Sequence, residues 1–184
     1  MAAAVGAFGA GLVSMVARLT MNSPKHAASS HECRRIADAA QELCRELARL
    51  VDEDARSFDH VSIAYRLPKA TAEEKALRSQ AVQEALLGAI LPPAEVIERA
   101  RTLCSLAGQL ADIGNPNALS DIGCAALCAQ AAAQCAKLNV EINAAALKDR
   151  TLAERYRTRT ITDAAQVNLL CEVVLDKLRA VTHA

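Results

Sequence analysis

The sequence predicts an all-α fold: a single-domain multihelical bundle in which long amphipathic helices surround one buried helix rich in Ala and Cys. Three observations carry that expectation. Apolar residues recur at helical spacing along most of the chain, and no segment sustains the period-two alternation of a strand. The 184 residues suit one domain with a sizeable core, undivided by any linker or repeat. The composition is 52% hydrophobic but only 2% aromatic, so the core must be aliphatic and close-packed.

The first element is the apolar run from Ala2 to Ala17. It falls short of the roughly 20 residues of a spanning helix, and no basic stretch precedes it as in a signal peptide. It is read as a buried helix. Ser29 and Glu32 fit a capping box, opening a long amphipathic helix that reaches about Tyr65. Its inward stripe runs through Ile36, Ala40, Leu43, Leu47, Val51, Phe58, Val61 and Tyr65, and Asp54 holds the inward position between Val51 and Phe58. Thr71 and Glu74 fit a second box, starting a helix that ends near Pro92 and Pro93. Pro93 suits the first turn of the next helix, which stops at Gly114. Ile122 to Ala136 follow without a charge, continuing through "KLNVEINAAAL". A shorter segment after Asp149 and a last amphipathic helix from about Thr162 to Val181 complete the pattern.

Several function classes are excluded by composition. Lys plus Arg and Asp plus Glu are equal at 21 each, which removes the electrostatic case for nucleic acid or an anionic membrane. The seven cysteines are odd in number and form no CxxC, so neither a disulfide framework nor a zinc site is expected. Without an export signal they imply a reducing, cytoplasmic setting. Cys124, Cys128 and Cys135 lie near one face of the Ala-rich helix and are read as small buried hydrophobes, in preference to a soft-metal site or a reactive thiol. The four histidines form no HExxH; His26, His31 and His183 are read as solvated, and His60 as flanking the apolar stripe. No nucleophile elbow or phosphate loop occurs.

Three polar groups stand out. A carboxylate such as Asp54 on an apolar face must be paired or hydrogen-bonded, or be a functional group. Asn139 and Asn143 are spaced i, i+4 and point the same way, towards a ligand or a neighbouring helix. "GNPNALSDIG" gathers Asn115, Asn117, Ser120 and Asp121 at the mouth of the apolar helix, where Asn117 or Ser120 would also serve as an N-cap. On a continuous helix Asp121 and Asn139 would lie ~27 Å apart at 1.5 Å per residue. They would serve opposite ends of a long ligand, or different sites across a dimer.

Taken together, "DARSFDHVSIAYRLPKATAEEKALR", "GNPNALSDIG" and "NVEIN", after the opening "GAFGAGLVSMVARLT", resemble the cyclodeaminase/cyclohydrolase family of folate enzymes. The likeness runs from Gly6 to about Lys148. It implies an all-helical, usually dimeric fold acting on reduced folate, with no metal or cofactor beyond the tetrahydrofolate substrate. A formiminotransferase is the partner it suggests. The family's recurring polar positions fall on Asp54, Lys69, Asn115, Asn117, Ser120, Asp121, Asn139 and Asn143. The implied roles are acid/base or pterin anchor for Asp54, hydrogen-bonding partners for Asp121 with Ser120, a carboxylate or charge clamp for Lys69, and substrate binding for the asparagines. The implied reactions are cyclodeamination of 5-formiminotetrahydrofolate and cyclohydrolysis of 5,10-methenyltetrahydrofolate. The alternative is a folate-binding or scaffold bundle with impaired catalysis. Family members usually carry a glycine-rich loop before the first helix, and residues 1–184 contain no counterpart, so weak turnover is expected of this stretch alone.

Overall fold

The computed structural model describes residues 1–182, which places His183 outside the described residues. Six long helices follow one another: α1 (Ala2–Met21), α2 (Ser30–Arg66), α3 (Ala72–Gly88), α4 (Leu91–Ile113), α5 (Leu119–Ala145) and α6 (Arg150–Thr182). Short 3-10 turns, Pro24–Ser29 and Pro116–Ala118, precede α2 and α5. No strand occurs among the described residues. Helix α5 is central, packed on α1, α4 and α6, while α2 crosses α1 and α4. The opening helix is long and apolar enough to cross a membrane by length and composition, yet half of that stretch is buried inside the bundle. It behaves as a core helix.

Small residues let these helices approach closely. A Cβ built on Gly9 of α1 would lie 2.9 Å from Cys128 Cβ and 3.1 Å from the Ala125 carbonyl oxygen, so α1 and α5 meet at a point where only hydrogen fits. The buried face of α5 is correspondingly Ala125, Ala126, Ala129, Ala132, Ala133 and Ala136.

The sequence placed several local features differently. Thr71 and Glu74 do form a reciprocal capping box at α3, with Glu74 N–H donating to Thr71 Oγ1 and Thr71 N–H to Glu74 Oε2, both at 3.1 Å. Thr71→Ala should therefore cost about 1 kcal/mol, read as a melting-temperature fall of roughly 2–4 °C for a domain of this size. Ser29 makes no such cap. The chain already winds into a 3-10 turn there, so Ser29 lies in the helical region instead of the extended geometry a cap needs, and Glu32 pairs with Arg35. The last two predicted segments are one helix: Asp149 Oδ1 accepts from Leu152 N–H at its start, and neither Pro nor Gly interrupts Arg150–Thr182.

Charge-free sequence did not mean burial all round. Cys124, Leu127 and Ala131 of α5 face outward, and Cys128 and Cys135 are half-buried. The buried cysteines are instead Cys33, Cys104 and Cys171, one each on α2, α4 and α6. Burial pushes the Cys104 thiol up to about 12, which leaves it an inert packing group.

The α2 stripe also divides. Ile36, Ala40, Leu43, Leu47 and Leu50 are buried in the main core, and Ala64 in a smaller core with Val82, Leu86, Ile90, Val140, Ala144 and Leu147. Between the two, α2 spans open ground, where Phe58 is 69% exposed. A straight helix of 37 residues is ~55 Å long, longer than one core can cover. The predicted inward stripe is therefore interrupted: Val51 packs on the main core, Phe58 is uncovered, Val61 packs on the smaller core, and Tyr65 is exposed beyond it.

Candidate active site

Where α2 leaves the main core, its Asp54 face looks across a groove of about 510 Å³ towards α5. Asp54, Ser57, Phe58 and Val61 line one wall, and Asn139, Ile142 and Asn143 the other. Helical spacing accounts for each set, since residues three and four apart share a face. Ala89, at the end of α3, closes one side, and Asn143 Nδ2 donates to its carbonyl oxygen at 3.0 Å. That bond fixes the amide and leaves Asn143 Oδ1 for another donor. Gln83 of α3 holds the same corner: its Nε2 donates to Ala146 O at 3.3 Å, and its Oε1 accepts from Lys148 N–H at 2.6 Å.

The sequence expected Asp54 to be buried and paired unless functional. It is half-buried, and among the described residues no hydrogen bond or ion pair engages its carboxylate; only its backbone oxygen is used, by Ser57 Oγ at 2.8 Å. Phe58 and Ile142 are 69% and 70% exposed beside it. The site thus combines the uncommitted Asp54 carboxylate, a second and exposed carboxylate at Asp59, two amides and two uncovered apolar side chains. Sequence reasoning missed Phe58 and Ile142 as groove residues. The position of Ile142 between two asparagines in "NVEIN" carried the signal for one of them.

The second predicted group lies at the far end of α5. Asn115 Oδ1 accepts from Asn117 N–H at 3.0 Å, capping the 3-10 turn, and Ala118 N–H donates to Asn115 O at 2.9 Å. Ala118 stands at the N-cap of α5 with no side-chain cap bond, so neither Asn117 nor Ser120 caps that helix. Asn117 and Ser120 are exposed, and Asn115 and Asp121 half-buried. Because α5 is continuous, Asp121 and Asn139 are ~27 Å apart along it. Lys69 is exposed in the link between α2 and α3 and lines neither wall of the Asp54 groove. Within one chain, then, Asp54, Asn139 and Asn143 come together, and Asn115, Asn117, Ser120, Asp121 and Lys69 do not join them. His60, expected to flank the stripe, is exposed on an adjoining side of α2, on a wider groove shared with α3 and α4 that meets the Asp54 groove at Ser57.

The family model described as formiminotransferase-cyclodeaminase matches residues 1–161. The chain belongs to that family. It is 41% identical over 153 residues to a methenyltetrahydrofolate cyclohydrolase of Methylorubrum extorquens, covering 83% of this chain and 74% of that protein. It is 34% identical over 179 residues to the formimidoyltransferase-cyclodeaminase of Rattus norvegicus, covering 97% of this chain but 33% of that one. It thus spans about a third of the length of the bifunctional relative. The crystal structure of a formiminotetrahydrofolate cyclodeaminase from Thermotoga maritima superimposes with a TM-score of 0.85 at 28% identity, over 98% of this chain and 86% of that one. The helical bundle of this family member is therefore the cyclodeaminase fold.

Proposed function

We propose that this chain is a folate one-carbon enzyme, a formiminotetrahydrofolate cyclodeaminase or a methenyltetrahydrofolate cyclohydrolase, with the pterin seated in the Asp54 groove. The observation that carries this reading is the unengaged Asp54 carboxylate facing two amides beside uncovered Phe58 and Ile142. A reduced pterin has the complementary make-up, with donors and acceptors on its edge and apolar surface on its faces.

In cyclodeamination N10 attacks the formimino carbon, and the bond from that carbon to the departing nitrogen breaks with release of ammonia. In cyclohydrolysis water adds to the methenyl carbon, and the bond to N5 breaks to give the 10-formyl product. Each reaction requires protons to move between nitrogen or oxygen and a nearby base. Asp54 is placed for that task, and a positioned side chain contributes roughly 10²–10⁴-fold. Asn139 and Asn143 bind the ring edge. The chemistry calls on no cofactor beyond the folate itself.

The polar segment from Asn115 to Asp121, too distant to complete this groove within one chain, is assigned to the site of a second copy, with Ser120 and Asp121 as hydrogen-bonding partners of the substrate. Lys69 is assigned to the folate carboxylates. A homodimer is supported by outward apolar side chains on both α1 and α5: Phe8 (65% exposed), Met15 and Leu19 on the first, Leu127 and Leu138 on the second. Light scattering at micromolar concentration should give twice the 19.5 kDa chain mass; a monomer contradicts the assignment. A formiminotransferase supplying the formimino substrate is the proposed partner, and a cytoplasmic location suits seven free cysteines.

The test is turnover of the two folates by the purified chain, followed through the methenyl chromophore. Conversion of either substrate is expected. Tight folate binding without conversion indicates a folate-binding scaffold, and no binding defeats the reading.

A further inference from the structure

The buried hydroxyl of Thr20, at the end of α1, makes a hydrogen bond to the polar segment before α5. Thr20 is fully buried, and its Oγ1 donates to Val16 O at 2.8 Å within its own helix. That commitment leaves an acceptor lone pair, which takes the N–H of Asn115 at 2.9 Å across 95 residues of sequence. Asn115 in turn organises the start of the 3-10 turn: its side chain holds Asn117 N–H, and its carbonyl holds Ala118 N–H. On the other side, Gly114 N–H donates to Leu110 O at 2.7 Å, and a Cβ on Gly114 would lie 2.6 Å from that same oxygen. The turn is thus tethered at two points, to the end of α4 through Gly114 and to α1 through Thr20.

We propose that Thr20 is a positioning residue for the segment Asn115 to Asp121, setting where those side chains stand through the Asn115 N–H. This rests on the assignment of that segment to substrate contact. Thr20 itself touches no substrate. Its role differs from general packing because one atom, the hydroxyl oxygen, serves both helix and loop. Replacing the hydroxyl by a methyl keeps shape and volume but removes the acceptor of the part-buried Asn115 N–H, and a donor left without its partner is costly.

The experiment compares Thr20→Val, Thr20→Ser and Thr20→Ala in the whole chain, with kcat and KM measured for the converted folate alongside melting temperature. Thr20→Val should lose tenfold or more in kcat/KM while still folded at the assay temperature, and Thr20→Ser, which keeps the oxygen, should stay within about twofold of the parent. If Thr20→Val does not fold, amide exchange decides: Asn115 N–H should be protected in the parent and in Thr20→Ser, and exposed in Thr20→Ala. A Thr20→Val that is less stable but unchanged in kcat/KM reduces the residue to packing and overturns the proposal, as does fast exchange of Asn115 in the parent. Asn117→Ala and Ser120→Ala separate positioning by Thr20 from substrate contact by the segment. If both lower kcat/KM while Thr20→Val does not, only the positioning role fails. If both match the parent, the segment does not contact substrate and the proposal falls with that reading.

Discussion

Asp54→Asn is expected to retain the fold and lose roughly 10²–10⁴-fold in turnover, the range for a positioned proton-transfer group. The substitution keeps the size of the side chain and its place on the groove wall. It removes the one property that the amide lacks, the capacity to accept and return a proton. No intramolecular partner of the carboxylate is lost, because among the described residues none engages it. Stability should therefore remain close to the parent, and that separates this variant from a structural one. Parallel steady-state kinetics and thermal melts check the prediction. Turnover within a few-fold of the parent would confine Asp54 to binding.

Gly9→Val is expected to give the largest loss of stability, about 3 kcal/mol or more. Overpacking costs typically 1–3 kcal/mol when extra methylenes enter a well-packed core, and at Gly9 the obstruction includes backbone. The added Cβ alone would meet Cys128 Cβ at 2.9 Å, Leu103 Cδ2 at 3.0 Å and the Ala125 oxygen at 3.1 Å. The Leu103 side chain can rotate away, but Cys128 Cβ and the Ala125 carbonyl are fixed to the backbone of the central helix. Helix α1 must then lift from α5, opening the main core. At roughly 2–4 °C per kcal/mol, the melt should fall by about 6 °C or more. Gly88→Ala is the contrasting case, since nothing lies within 4 Å of the added carbon. It should be neutral or mildly stabilising through helix propensity. Equal losses for the two variants would contradict the packing account.

These two glycines illustrate what was legible in the sequence. The Ala-rich sequence of the fifth helix announced close helix approach, but not which glycine met a neighbour. Helix starts and stops at Thr71, Pro93 and Gly114 were readable because local chemistry sets them. Ser29 misled because the preceding 3-10 turn, a tertiary choice, had already determined its backbone angles. The α2 stripe was correct in period and at Val61, but Phe58 and Tyr65 are exposed. Periodicity tells which residues share a face, but it cannot tell where along a 37-residue helix the covering layer ends.

The site shows the same division. Asp54, Asn139 and Asn143 were found as polar exceptions on helical faces, and the fold brings them to one groove. Phe58 falls on the inward stripe by helical spacing, and the gap between the two cores leaves it exposed. Thr20 carried no sequence signal. Its importance lies in one hydrogen bond to a residue 95 positions away.

The central claim is that the reduced pterin sits between Asp54 of α2 and the asparagine pair of α5. The most direct measurement is a crystal structure of the chain with 5-formyltetrahydrofolate, a stable N5-substituted relative of the proposed substrates. The pterin ring should lie beside Phe58 and Ile142, with its edge within hydrogen-bonding distance of the Asp54 carboxylate and Asn139 or Asn143. A pterin lodged instead in the groove on the His60 side of α2, with the Asp54 groove left to solvent, would contradict the account.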